Sequence, residues 1–139
     1  MRTLVVDDAL CNRIVLQGYL TKFGECNVAG NGREAIEACR AAHQQSRPYS
    51  LICMDIMMPE MDGITALKEI RLLERQWRIV RGSRARIIMT TASNGSKHVF
   101  EAASGSCDGY LTKPIEMAKL LDVLRTFKLV PNDNARLSV

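Results

Sequence analysis

Short apolar runs alternate along this chain with longer stretches whose apolar residues recur every three or four positions. The first run, residues 3–7, reads as a strand. Residues 10–23 follow with Leu16, Tyr19, Leu20 and Phe23 at helical spacing, and Gly24 is a stop signal. A weak strand is predicted over Cys26–Ala29. Asn31 then caps a second helix, with Glu34 placed three residues on to reach back, and Ala35, Ile36, Cys39 and Ala42 form its apolar stripe. After a loop from Gln44 to Pro48, Leu51–Met54 read as a third strand ending at Asp55. Met57–Gly63 are turn-rich, and Ile64, Leu67 and Ile70 begin a third helix. Arg86–Thr90 predict a fourth strand, Ser93–Gly95 a turn, Lys97–Ser104 a fourth helix and Gly109–Thr112 a fifth strand. Met117, Leu120, Leu121, Leu124 and Phe127 line a fifth helix.

One strand before each of five helices implies a parallel sheet covered on both faces. Right-handed crossovers favour a single-domain, doubly wound α/β fold with five strands in the order 2-1-3-4-5. Residues 1–130 are expected to form that domain, and 131–139 a frayed polar tail. The switch point of such a sheet lies between the first and third strands, where α/β folds place ligands.

The charges fall at that same edge. Asp7 and Asp8 close the first strand, Asp55 the third, and Lys113 follows the fifth and precedes Pro114, which biases Lys113 to an extended conformation. Three neighbouring carboxylates repel one another unless a cation is present, and oxygen ligands of this kind suit Mg²⁺. Asp8 and Asp55 are the expected direct ligands, Asp7 acts through water, and the backbone carbonyl of Met57 supplies another oxygen. Helix capping explains Asp7 and Asp8 equally well when they are taken alone; Asp55 and Lys113 tip the reading to metal binding. Asp55 is also placed to attack a phosphorus and hold it as an acyl phosphate. Mg²⁺ and Lys113 would each neutralise a phosphoryl oxygen, and the hydroxyl of Thr91, at the end of the fourth strand, would donate to a third.

Composition narrows the class. With 47% hydrophobic and 24% charged residues, the 139-residue chain has the apolar content for one core. No apolar stretch approaches the ~20 residues of a membrane span, and the five cysteines lack metal-ligand spacing, so a cytoplasmic protein with reduced thiols is expected. The net charge of +4 owes much to Arg71, Arg75, Arg78, Arg81, Arg84 and Arg86. These read as a solvated helix end and loop; the sharper reading is a patch for nucleic acid or an acidic partner. Only Trp77 is there to stack on bases, which weighs against nucleic acid.

Val5-Val6-Asp7-Asp8, Asn31-Gly32-Arg33-Glu34-Ala35, Met54 through Gly63, Thr91-Ala92 and Tyr110-Leu111-Thr112-Lys113-Pro114 match a known pattern in order and spacing. Over nearly its whole length the chain resembles the response regulator receiver domain of two-component signalling, whose fold is the flavodoxin-like order given above. The resemblance implies that Asp55 accepts a phosphoryl group from a histidine kinase or histidine phosphotransfer protein, that Mg²⁺ is required, and that hydrolysis is slow and self-catalysed. It makes Thr91 and Tyr110 a switch pair, with Thr91 moving toward the phosphoryl group and Tyr110 turning inward. Asn12-Arg13 looks like receivers that work with hybrid histidine kinases. Two departures stand out: the long, Arg-rich segment from Arg71 to Arg86, and Ser106, with Gly105 beside it, where a glycine is expected.

With no further module after Val130, output is expected through contact with a downstream protein, on a face that includes Lys97, His98, Lys119 and Arg125. Two other functions compete. A Mg²⁺-dependent phosphatase of the haloacid dehalogenase type also uses an aspartate nucleophile, but needs a second aspartate where this chain has Met57. A basic nucleic-acid-binding module would act through the arginines.

Overall fold

The computed structural model describes residues 1–92 and 106–131. Strands β1 (Thr3–Val6), β2 (Cys26–Ala29), β3 (Leu51–Asp55), β4 (Arg86–Ala92) and β5 (Gly109–Lys113) form one parallel sheet in the order β2-β1-β3-β4-β5. Helices α1 (Leu10–Leu20), α2 (Gly32–Gln44), α3 (Gly63–Gln76) and α4 (Met117–Thr126) cover it. The predicted helix over 97–104, with Lys97 and His98, lies outside the described residues, so α4 is the fifth helix of the sequence pattern. The predicted tail beyond Pro131 also lies outside them.

Alternation along the strands decides which helices sit on which face. Leu4, Val6, Ile52, Met54, Ile87 and Met89 point to the side of α2 and α3, where they meet Ala35, Ile36, Leu67 and Ile70. Val5, Leu51, Cys53, Ile88 and Leu111 point the other way and meet Leu16 and Leu20 of α1 and Leu120 and Leu124 of α4. Every residue of β1 and β3 is buried, which explains why these runs are continuously apolar rather than alternating.

Several boundaries differ from the sequence pattern. The first helix ends at Leu20 and tightens into a 3₁₀ turn over Thr21–Phe23. The reason is Gly24, at φ 147°, where a Cβ would stand 1.8 Å from the carbonyl oxygen of Met1; the chain must turn there for β2 to come alongside β1. Strand β1 stops at Val6, leaving Asp7 just past the ladder, while β4 and β5 run on to Ala92 and Lys113. Asn31 caps α2 by accepting from the Glu34 N–H (2.9 Å), and Glu34 answers by accepting from the Gly30 N–H (3.0 Å) and the Asn31 side-chain amide (3.3 Å).

The arginine segment is solvated at Arg75, Arg78, Arg81 and Arg86, as its composition suggests, but not at Arg71. The Arg71 side chain is only 13% exposed. It donates to Glu74 (2.7 Å) and to Asp108 (2.8 Å), and to the carbonyls of Ala85 (2.8 Å) and Ser106 (2.8 Å). Glu74, 4% exposed, also accepts the Ala85 N–H at 2.9 Å. Asp108 accepts from the Ile87 N–H at 2.8 Å. Three charged side chains thus fasten α3 to the entrances of β4 and β5.

Candidate functional site

At the carboxyl edge of the sheet, β1 and β3 end side by side at the switch point, and β5 ends beyond β4 on the β3 side. Carboxylate oxygens of Asp7, Asp8 and Asp55 all lie within 4.8 Å of one another. Lys113, from the end of β5, brings Nζ to 2.9 Å from Asp7 Oδ2 and 3.2 Å from Asp55 Oδ1. Four charged groups predicted from three separate stretches of sequence therefore meet.

Their environments are unequal. Asp7 and Asp55 are buried, and Asp8 is exposed. Asp7 Oδ1 accepts from the Ala9 N–H (2.9 Å) and from Asn12 Nδ2 (3.4 Å). Arg13 donates to the Asp7 backbone carbonyl at 2.8 Å. Asn12 and Arg13 thus brace the acidic pair, a positioning role that their place in the sequence did not reveal. Asp7 Oδ2 is buried, with the Lys113 ammonium 2.9 Å away. The α1 N-cap is Ala9, and no side chain caps that helix, so Asp8 has no capping role to explain it.

Asp55 is 4% exposed. Burial, and then the neighbouring charge of Asp7, push its carboxyl up to about 6, against the opposing pull of Lys113 and the Met57 backbone N–H. Lys113 shows the complement. Burial pulls its ammonium down, but the carboxylates of Asp7 and Asp55 outweigh that and hold it above its ordinary value. The arrangement is one ammonium against three carboxylates. That excess of negative charge, two of its three carboxylates buried, suits a hard divalent cation.

Thr91 is buried one residue beyond Thr90, the register partner of Asp55, and its hydroxyl donates to the Ala92 carbonyl at 3.0 Å. Tyr110, on β5, is 48% exposed. The Met57 side chain is 68% exposed, at the rim of the acidic site. Behind Asp55 the turn into α3 is held by Asp62, whose carboxylate accepts the Thr65 N–H at 2.7 Å, and by Gly63, whose N–H donates to the Ile56 carbonyl at 2.9 Å. Sequence reasoning placed both in a loop without a role.

The response regulator receiver domain family matches residues 3–125. The chain belongs to this family. It is 37% identical over 125 residues to the chemotaxis protein CheY of Bacillus subtilis, a match covering 88% of this chain and 93% of that protein. Among solved structures it is similar to the receiver domain of the histidine kinase CKI1 from Arabidopsis thaliana, complexed with Mg²⁺ and BeF₃⁻. That likeness has a TM-score of 0.75 at 33% identity and covers 91% of this chain and 89% of the other. It is also similar to a chain in the co-crystal of the Saccharomyces cerevisiae phosphotransfer protein Ypd1 with the receiver domain of Ssk1, with a TM-score of 0.74 at 27% identity, covering 95% and 93%. As a receiver domain it is a phosphoacceptor signalling module, not an enzyme acting on a separate substrate. No helix among the described residues is long and apolar enough to cross a membrane.

Proposed function

We propose that residues 1–130 act as a receiver in which Asp55 accepts the phosphoryl group, with the chemistry supplied by the receiver itself. The observation that carries this reading is Lys113 Nζ at 3.2 Å from a buried Asp55 whose carboxylate lies against those of Asp7 and Asp8. A histidine kinase or histidine phosphotransfer protein would present the phosphoryl group; the Ypd1–Ssk1 co-crystal is a precedent for the latter kind of partner.

Mg²⁺ would be held by Asp8, Asp55 and the backbone carbonyl of Met57, with Asp7 reaching it through water. Bound there, it supplies charge neutralisation for a phosphoryl oxygen. The residues do the rest. Asp55 attacks through a carboxylate oxygen, and the phosphorus–nitrogen bond to the donor histidine breaks as the new oxygen–phosphorus bond forms. Lys113 exchanges part of its interaction with Asp55 for a phosphoryl oxygen, and Asp7 keeps it in place. The Thr91 hydroxyl gives up its link to the Ala92 carbonyl and turns to another phosphoryl oxygen. Tyr110, now half-exposed, follows inward, and the altered surface is read by a downstream protein in a cytoplasmic signalling pathway. Slow self-catalysed hydrolysis returns the carboxylate.

Labelling with a small phosphodonor tests the assignment. Asp55→Ala is expected to abolish Mg²⁺-dependent incorporation, with the label of the parent protein mapping to a peptide containing Asp55. Incorporation that persists on another residue would move the acceptor elsewhere.

A further inference from the structure

At the opposite end of the sheet from the acids, the arginine segment lines a cleft of about 700 Å³ between the end of α3, the turn before β4 and the residues entering β5. Its walls carry Arg71, Arg75, Arg81, Arg84 and Arg86 against the single carboxylate of Asp108. The fold accounts for two of these arginines. Arg71 is spent on Glu74 and Asp108, and Arg86 pairs with Asp108 at 3.3 Å while lying over the Phe127 ring at 5.3 Å. Among the described residues Arg75, Arg81 and Arg84 have no ion-pair partner, and Arg84 Nε is buried without a hydrogen bond. Gathering like charges in a recess costs stability, and a buried guanidinium donor without an acceptor adds to that cost.

We propose that this cleft binds an oligophosphate anion: two or more adjoining phosphates, carried by a nucleotide or by an inorganic chain. Guanidinium forks match phosphate oxygens in geometry as well as charge. A volume of this size exceeds what one phosphate fills and is that of an ordinary small-molecule site. Nucleic acid lacks a stacking platform here: Trp77 is stacked on His43 at 4.0 Å, and Phe127 is covered by Arg86. The cleft is remote from Asp55, so occupancy leaves the acidic edge open.

Calorimetric titration of the whole chain in low-salt, metal-free buffer tests this, with inorganic triphosphate, ATP, GTP, orthophosphate and a short DNA duplex as probes. Saturable one-site binding of triphosphate is expected, weakening with salt and much tighter than that of orthophosphate. The double variant Arg81→Ala/Arg84→Ala should weaken it by about tenfold or more, and Arg75→Ala by less. Circular dichroism melts should be no lower than the parent's, since these side chains hold no carboxylate and their removal relieves the crowding of charge. Asp55→Asn should bind as the parent does. Tighter binding of ATP or GTP than of triphosphate assigns the site to nucleotides; equal binding assigns it to phosphate chains. No saturation, affinity unchanged in both arginine variants, loss in Asp55→Asn, or tightest binding by the duplex would each overturn the proposal.

Discussion

Asp55, the proposed acceptor, stands in a place where its charge is unwelcome. With its carboxyl pushed up to about 6 by burial and Asp7, ionisation is harder in the folded protein than in the unfolded chain. The sign follows from proton binding. Between about pH 4 and 6 the folded state holds the proton that the unfolded state has released, so stability falls as pH rises through this window and stays lowered above it. Asp55→Asn removes the ionisation but keeps the shape. It is expected to raise unfolding stability at pH 7.5 by about 2 kcal/mol and to leave it nearly unchanged at pH 4. Urea denaturation at both pH values measures this, and an equal gain at both would mean that the charge is not the source. The same site that costs stability is the one proposed to supply the chemistry, as expected where binding a cation and a phosphoryl group would relieve the repulsion.

At the scale of elements, the turn from β3 into α3 sets where Asp55 points. Gly63 approaches the strand so closely that a Cβ would stand 2.1 Å from the Asp55 carbonyl oxygen and 3.0 Å from the Ile56 Cα. Backbone, not a flexible side chain, blocks that space. Gly63→Ala is therefore expected to cost about 2–3 kcal/mol and to reduce Asp55 labelling as the acceptor is displaced. Asp62→Ala, one residue earlier, removes only the cap on Thr65 and should cost about 1 kcal/mol with labelling kept. Equal effects on labelling would show that helix stability, not strand position, limits the site. The strands and helices themselves were legible because short apolar runs, helical spacing of apolar residues and Asn31 capping are local properties. The Gly63 contact was not, because its partner is the backbone of another element.

For the molecule as a whole, Arg71 joins parts of the chain that local pattern cannot relate. It binds Glu74 one helical turn away, but also Ala85, Ser106 and Asp108, across as many as 37 positions. Arg71→Ala leaves Glu74 buried beside only a backbone N–H, and is expected to cost about 3–5 kcal/mol. The double variant Arg71→Met/Glu74→Gln should recover part of that loss in urea unfolding. A cost for Arg71→Ala under about 1 kcal/mol would mean that the cluster is solvated after all. From composition alone a run of arginines reads as a wet surface; only folding separates the one that holds α3 from the three that face a cleft.

The amino-acid order by itself determined the α/β alternation, the sheet order and the gathering of Asp7, Asp8, Asp55 and Lys113, because a charge at the end of a buried parallel strand has one edge at which to emerge. The tertiary structure alone decided how those charges are shared. Asp7 is the buried partner of Lys113, Asp8 is the exposed acid, and Asn12 and Arg13 brace the pair. Burial and distance between segments far apart in the chain set pairing energies, and neither is written in the local run of residues.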